Sequence, residues 1–200
     1  MGDSGGSPYA LVCANKFPRE RLKGTAVVSG VYPLSLGTEG MSWSVKAFLY
    51  AGPWLPHFAM KKIMDWEMGG NAARNPDKKA FEEMFMKVME KKTAKDRACL
   101  EDVEFRDIMI ESMRESFRQG SDGPAWDGKL YADWGFKLEE AEGDNITLWH
   151  AKGDANAPFQ MAEKAAKLIK GCVFKAIEDE THASLPYNYM KEVVTSLLRL

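Results

Sequence analysis

The stretch Gly2-Asp3-Ser4-Gly5-Gly6 places one serine among glycines close to the first residue of the chain. A Gly-x-Ser-x-Gly pattern is typical of a sharp turn between a strand and a helix, where larger side chains would clash. The residues that follow, Ser7-Pro8 and 9–16, combine a proline near a helix start with small and apolar residues at helical spacing. We therefore predict that Ser4 lies on a tight turn that leads into a helix.

Two apolar runs later in the chain have the pattern of buried strands. Residues 145–150 and 172–177 are short and contain β-branched or aromatic residues. The first run leads into a glycine-containing polar loop with Asp154, and the second leads into a loop with His182. A helical pattern follows each loop. The sequence thus predicts an acid and a histidine directly after two successive strands.

This order of elements resembles the C-terminal part of the α/β-hydrolase family, in which serine, acid and histidine follow one another along the chain. The segments LWHAKGDANAP (148–158) and ETHASL (180–185) are similar to the loops that hold the acid and the histidine in that family. Relatives often have glycine before the histidine, and Thr181 stands there in this chain. The resemblance covers nearly the whole chain but only part of the family's fold.

The resemblance implies a Ser-His-Asp catalytic triad that acts on ester-like acyl bonds through an acyl-enzyme intermediate. Ser4 would be the nucleophile, His182 the base that takes its proton, and Asp154 the acid that orients the histidine. The backbone N–H of Gly5 would be one oxyanion donor. No cofactor is implied, and the expected partner is a small-molecule acyl substrate with an apolar part.

A second family shares the pentapeptide, because Gly-Asp-Ser-Gly-Gly also resembles the active-serine segment of chymotrypsin-like proteases. In that family the histidine and the aspartate precede the serine, whereas only three residues precede Ser4. The helical pattern after the motif also disagrees with a β-barrel. Chain order therefore favours the α/β-hydrolase interpretation.

Other acids and histidines compete for the same roles. Asp144 precedes its strand, which is the wrong end for the site, and Asp179 lies close to the expected histidine loop. His150 lies within an apolar strand and is interpreted as a core histidine, while His57 has no acid at a fitting place. Asp154 itself has a purely structural alternative, since aspartate favours turns and helix starts.

The predicted fold class is α/β: a partial α/β-hydrolase parallel sheet of about three strands with flanking helices, plus an inserted helical cap. The strands are expected around residues 25–32, 145–150 and 172–177. We predict residues 1–33 and 127–200 as the core and 34–126 as the cap. The Met, Trp and Phe residues of the cap fit either a deformable wall over a substrate or, as we favour, ordinary helix packing.

The strands that precede the nucleophile in the family are expected to be missing. The strand near residues 25–32 would then have an unpaired edge, and one oxyanion donor would be absent. A truncated hydrolase is the simplest account. The alternatives are a catalytically inactive fragment that acts, if at all, as a binding module, and a peptidase or a C–C or amide hydrolase of the same fold.

The amino-acid composition limits the remaining classes of protein to which the chain could belong. The chain has 200 residues, 45% hydrophobic and 28% charged residues, and a net charge of −2, with a pI near 6.0. These values are typical of a globular protein and give no electrostatic case for nucleic acid. Three widely spaced cysteines indicate neither a disulfide framework nor a metal site. No membrane span and no secretory signal are predicted, which favours a cytoplasmic protein, although an absent N-terminal segment could have held a signal.

Overall fold

The computed structural model describes residues 1–131 and 134–199. The chain divides into two compact units, one formed by Met1–Lys46 and Asp133–Leu200 and the other by Ala47–Ala132. We call the first the sheet unit and the second the helical unit. The boundaries at 34 and 126, and the role of the middle region as a cap, stay predictions.

Ten α-helices lie within the described ranges, and none of those helices combines the length and apolarity needed to cross a membrane. In chain order they are α1 (Ser7–Lys16), α2 (Trp43–Ala51), α3 (His57–Trp66), α4 (Gly70–Ala73), α5 (Lys78–Met89), α6 (Ala94–Ala98), α7 (Val103–Ser116), α8 (Asp122–Leu130), α9 (Phe159–Leu168) and α10 (Ser184–Leu197).

The sheet unit contains a parallel sheet of four strands, which lie side by side in chain order. The strands are β1 (Gly2–Asp3), β2 (Thr25–Val28), β3 (Ile146–Ala151) and β4 (Val173–Ile177). Because all four are parallel, their carboxyl ends lie at the same edge of the sheet. The α/β class and the flanking helices agree with the sequence-based prediction.

One strand was not predicted. We expected about three strands and an unpaired edge on the strand after the first helix, but Gly2 pairs with Val27 and Asp3 pairs with Val28. The segment before Ser4 therefore forms β1, which holds the turn at its carboxyl end. Two residues are too few for an alternating pattern, so the sequence offers no periodic signal for this strand.

Burial explains the composition of the strands. All four residues of β2 are buried, and so are five of the six in β3. Parallel strands covered on both faces are continuously apolar, as the Ala26-Val27-Val28 run is. β4 is a half-exposed edge strand with no fully buried residue, which fits the lysine in its middle.

Helices cover both faces of the sheet. On one face, Ala26, Val28 and Trp149 form a buried cluster with Leu185 and Val193 of α10. Side chains alternate between faces along a strand. On the opposite face, Phe174 packs against Phe159, the first residue of α9, with ring centroids 5.6 Å apart.

The helical unit has its own apolar core. Its buried members are Met60, Met64, Ala73, Phe81, Phe85, Met89, Leu100, Ile110, Phe117 and Ala125. On α5, the buried residues Phe81, Phe85 and Met89 repeat every four positions, whereas Val88 is 46% exposed. The buried methionine and phenylalanine side chains of this unit thus provide ordinary helix packing, which is the alternative favoured in the sequence analysis.

The start of α5 follows its sequence signal. The Asp77 side chain accepts a hydrogen bond of 3.0 Å from the Lys79 backbone N–H. An aspartate in this position satisfies one of the backbone donors that a helix leaves unpaired in its first turn. Asn75-Pro76-Asp77, directly before the helix, is a sequence pattern that favours a helix start.

Candidate active site

Each of the four parallel strands is followed by a polar residue at the same edge of the sheet. Ser4 follows β1, Ser29 follows β2, Asp154 lies in the loop after β3, and His182 lies in the loop after β4. Ligand sites of open α/β sheets lie outside the carboxyl ends of the strands. The candidate site is therefore at the edge where such folds place their chemistry.

Three of these residues form a continuous chain of hydrogen bonds. His182 Nδ1 is 2.8 Å from Asp154 Oδ2, and His182 Nε2 is 2.9 Å from Ser4 Oγ. An ionised carboxylate only accepts hydrogen bonds, so Nδ1 would have the hydrogen when Asp154 is ionised. Nε2 is then an acceptor for the Ser4 hydroxyl. This arrangement lets the imidazole take the serine proton.

The Asp154 carboxylate accepts hydrogen bonds from the backbone of its own turn and also contacts His182. Its side chain has no exposed surface. Oδ1 accepts the backbone N–H groups of Asn156 at 2.8 Å and Ala157 at 2.9 Å, which is the turn role of aspartate. Oδ2 is the atom that contacts His182. Asp154 therefore has the structural role in a turn that was considered as an alternative, and it also contacts His182. The two bonds to the turn fix the plane of the carboxylate.

Ser4 lies on a backbone that most side chains avoid. Its φ is 46°, in the left-handed region, and a short 3₁₀ turn (Ser4–Gly6) connects it to α1. Such a conformation costs on the order of 1–3 kcal/mol for a non-glycine residue and lasts only where surrounding contacts hold it. Here the Ser4 carbonyl accepts the Val31 N–H at 3.3 Å and lies 2.9 Å from the hydroxyl of buried Ser7. Ser7, which sequence reasoning did not single out, thus braces the turn.

The two outer glycines of the pentapeptide have unequal surroundings. A Cβ on Gly2 would lie 2.4 Å from the Gly6 carbonyl oxygen and 2.7 Å from Ala10 Cβ. A Cβ on Gly6 would meet nothing within 4 Å, and Gly6 has an ordinary helical φ of −77°. Only the first of the two glycines is sterically required by this turn.

We expect Gly2→Ala to lower the free energy of unfolding by about 1–3 kcal/mol, because the new methyl group must displace the turn backbone. Gly6→Ala is the matched control and should change it by less than about 1 kcal/mol, in the stabilising direction. Urea denaturation of the two variants and the wild type measures both. Equal destabilisation by the two substitutions would contradict this description of the turn.

The loop with His182 is held by a second polar network. The Thr181 backbone N–H donates to Ser184 Oγ at 2.9 Å, and the Ser184 hydroxyl donates to the buried carboxylate of Glu180. Asn188 donates to the other Glu180 oxygen at 3.1 Å. The Glu180 carbonyl also accepts the Gly153 N–H at 3.0 Å, which joins the histidine loop to the loop of the acid. Thr181, the departure from the family pattern, belongs to this network.

His150 is a core residue next to the site, as interpreted from the sequence. It is fully buried, its Nε2 lies 2.7 Å from the Ala157 carbonyl oxygen, and its Nδ1 has no hydrogen-bond partner among the described residues. Nε2 also lies 3.6 Å from Asp154 Oδ2, which is too long for a hydrogen bond. Burial lowers the pKa of His150 below its ordinary value, and Asp154 and the Ala157 carbonyl partly oppose this.

The lowered pKa of His150 predicts acid sensitivity of the fold. The unfolded chain binds a proton on this imidazole at a higher pH than the native chain does. The contribution of His150 to the free energy of unfolding is therefore complete above a pH of about 6.5. That contribution is lost as the pH falls through the lowered native pKa. We expect His150→Gln, whose amide can still donate to Ala157, to lose less unfolding free energy than the wild type between about pH 7.5 and pH 5. Equal losses of unfolding free energy in the variant and the wild type would contradict His150 as the origin of the acid sensitivity.

Asp144 and His57 have partners of their own, and Asp179 lies in the same loop as His182. Asp144 forms an exposed ion pair of 3.4 Å with Arg19, and Asp179 lies in the turn before the histidine loop with a φ of 54°. His57 lies in the helical unit, and its Nε2 is 3.1 Å from Asp122 Oδ1. The sequence did not predict this contact, which joins α3 to α8. That pair has Lys61 as a further partner of Asp122.

The remaining predicted site residue is Gly5, which follows Ser4 in the 3₁₀ turn and is half-buried. Its role as an oxyanion donor stays a proposal. In the described ranges, no group of three or more His, Cys, Asp and Glu side chains is arranged to hold a metal ion. Cys13, Cys99 and Cys172 are not joined in disulfide bonds.

Comparisons with known proteins show a likeness in fold only. No protein-family model matches the sequence, and no curated protein matches it. The structure is similar to the crystal structure of the putative non-heme bromoperoxidase BpoC from Mycobacterium tuberculosis H37Rv, with a TM-score of 0.52 and 13% sequence identity.

The similarity to that bromoperoxidase, which has the α/β-hydrolase fold, covers 99% of this chain but 64% of the other. The chain thus spans less than two thirds of the length of that solved relative. At a sequence identity this low, the structural similarity shows the fold and gives no information about activity. The chain has an α/β fold, with a parallel sheet of four strands and flanking helices, and this architecture is consistent with part of the α/β-hydrolase fold.

Proposed function

We propose that this chain is a serine hydrolase that acts on ester-like acyl bonds, with Ser4 as nucleophile, His182 as general base and acid, and Asp154 as the orienting acid. The observation that supports it best is the hydrogen-bonded chain from Ser4 through His182 to Asp154, with distances of 2.9 and 2.8 Å. Each member stands after a different parallel strand. The order along the chain is also that of α/β-hydrolases.

The proposed reaction has two halves. The Ser4 hydroxyl oxygen attacks the acyl carbon while its proton moves to His182 Nε2, and Asp154 stabilises the imidazolium that forms. The tetrahedral intermediate then releases the alcohol, which takes the proton from Nε2, and leaves an acyl group on Ser4. In the second half a water molecule gives a proton to Nε2 and attacks the acyl carbon. The acid product leaves and Ser4 regains its proton.

Charge that develops on the substrate oxygen requires preorganised donors. We propose the Gly5 backbone N–H as one, because Gly5 directly follows the nucleophile at the entrance to α1. Helix α1 has ten residues, and the partial positive charge at its first turn favours an anion there. No second donor is assigned.

The proposed substrate is a small acyl compound with an apolar part. We further propose that the helical unit is the cap inserted into the hydrolase core, since it lies between β2 and β3 along the chain. No cofactor has a role in this proposal.

The experiment that tests this proposal is titration of the purified chain with a fluorophosphonate during hydrolysis of p-nitrophenyl acetate and butyrate. The phosphonate reacts with activated serine hydroxyls. We expect ester hydrolysis with a burst of p-nitrophenol. The rate of hydrolysis should fall in proportion to the fraction of chains modified, and it should reach zero when each chain has one phosphonyl group. Hydrolysis that continues after complete modification, or a folded chain that neither reacts nor hydrolyses, would contradict the proposal.

A further inference from the structure

Ser29 is a polar residue of the site edge to which the proposed mechanism gives no task. It directly follows β2 and is fully buried. Its φ is 47°, in the left-handed region that favours glycine. A buried serine with such a backbone is unusual enough to call for a compensating contact.

Two hydrogen bonds provide that contact. The Ser29 backbone N–H donates to the Trp149 carbonyl oxygen at 3.0 Å, and its hydroxyl donates to the backbone carbonyl of His182 at 3.2 Å. The first bond joins Ser29 to β3, and the second joins it to the loop after β4. Ser29 thus connects the end of β2 with the backbone of the histidine itself.

The distribution of left-handed residues supports a role at the site. Among residues 1–131 and 134–199, the non-glycine residues with positive φ are Ser4, Ser29 and Asp179. Ser4 is the proposed nucleophile, and Asp179 lies three residues before His182. Strained backbones of this kind cluster at functional sites, where the surrounding structure holds them in place.

We propose that Ser29 is a positioning residue for His182. Its hydroxyl fixes the His182 carbonyl, and with it the Cα from which the imidazole projects towards both Asp154 and Ser4. Because the imidazole must hold two hydrogen bonds of 2.8 and 2.9 Å at once, a small rotation of the His182 backbone would lengthen at least one of them. The consequence for turnover rests on the proposed hydrolase function, whereas the consequence for the imidazole geometry does not.

Two substitutions separate the hydroxyl from the backbone strain. Ser29→Ala removes the hydroxyl and keeps a Cβ at φ 47°. Ser29→Gly also removes the hydroxyl but adopts that φ freely, so its melting temperature should exceed that of Ser29→Ala. Both variants should lower kcat for p-nitrophenyl acetate by about 10- to 100-fold, with KM within about threefold of the wild type.

A second measurement does not depend on turnover. In ¹H NMR spectra of chain labelled with ¹⁵N-histidine, the His182 Nδ1–H bonded to Asp154 should give a low-field signal that exchanges slowly with water. His182→Gln identifies that signal. In both Ser29 variants it should move upfield and broaden through faster exchange, while the His57 signals stay unchanged.

The outcomes distinguish the inference from the proposed function. If the wild type does not hydrolyse esters, the proposed function fails, and the His182 signal alone decides the role of Ser29. A His182 signal in Ser29→Gly that matches the wild type would overturn the inference, as would a wild-type kcat in an active protein. Loss of activity that follows melting temperature across both variants would also overturn it, since the role would then be one of stability only.

Discussion

Replacing Ser4 by alanine is expected to lower kcat for p-nitrophenyl esters by about 10⁴- to 10⁶-fold, because the variant lacks the atom that forms the acyl-enzyme. The His182 imidazole would keep its bond to Asp154 but would lose the Ser4 hydroxyl from Nε2. Any residual rate would come from binding and oxyanion stabilisation. Initial rates at saturating ester, with enzyme concentration from absorbance, measure the effect.

Ser4→Gly is the matched control for backbone strain at the nucleophile. It lacks the hydroxyl too, but it adopts φ 46° without a Cβ penalty. We expect it to be as inactive as Ser4→Ala and more stable than it by about 1 kcal/mol. Turnover by both variants within tenfold of the wild type would exclude Ser4 as the nucleophile.

The second large effect is expected for Asp154→Asn, which should lower kcat by about 10⁴-fold. An asparagine whose oxygen keeps the bonds to the Asn156 and Ala157 N–H groups must turn its NH₂ group towards His182 Nδ1. Nδ1 then has to accept a hydrogen bond, so Nε2 has the hydrogen and cannot take the Ser4 proton. The substitution would thus stabilise the wrong tautomer without removing the turn.

Asp144→Asn is the control for general loss of negative charge. Asp144 is exposed and pairs with Arg19, so its substitution should leave kcat within about twofold. Steady-state kinetics of both variants, with urea denaturation to show that the turn at Asp154 persists, test the prediction. An Asp154→Asn variant within about tenfold of the wild type would show that Asp154 has only its structural role.

Sequence order was a strong guide to the site because each motif lies after a strand. Asp154 and His182 were predicted to follow the strands now observed as β3 and β4, and residues far apart in sequence meet where parallel strands end. The strands themselves were recognisable because burial on both faces makes them continuously apolar. The α/β class followed from the alternation of such runs with helices.

The features that the sequence did not predict, β1 and the end of β2, depend on tertiary contacts. β1 has two residues, and it is defined by pairing with Val27 and Val28 rather than by a pattern. Ser29 was placed inside a strand expected to extend to residue 32, whereas its left-handed backbone ends β2 at Val28. Ser-Gly after an apolar run was the available signal, since such pairs mark turns.

The two-residue strand changes the view of the opening pentapeptide. We expected a serine turn without the strand that should direct it, and β1 provides that strand in its shortest form. The turn is further held by the Val31 N–H and by Ser7. Contacts from the segment after β2 and from the first residue of α1 thus stabilise the backbone of Ser4.

The central claim is that His182 and Asp154 activate the Ser4 hydroxyl. The most direct measurement is mass spectrometry of the fluorophosphonate-treated chain after proteolysis, with the residue that bears the adduct assigned by fragmentation. We predict one adduct, on Ser4, with a labelling rate that falls by at least about 10²-fold in His182→Ala. An adduct on another residue, or labelling of Ser4 at an unchanged rate in His182→Ala, would contradict the account.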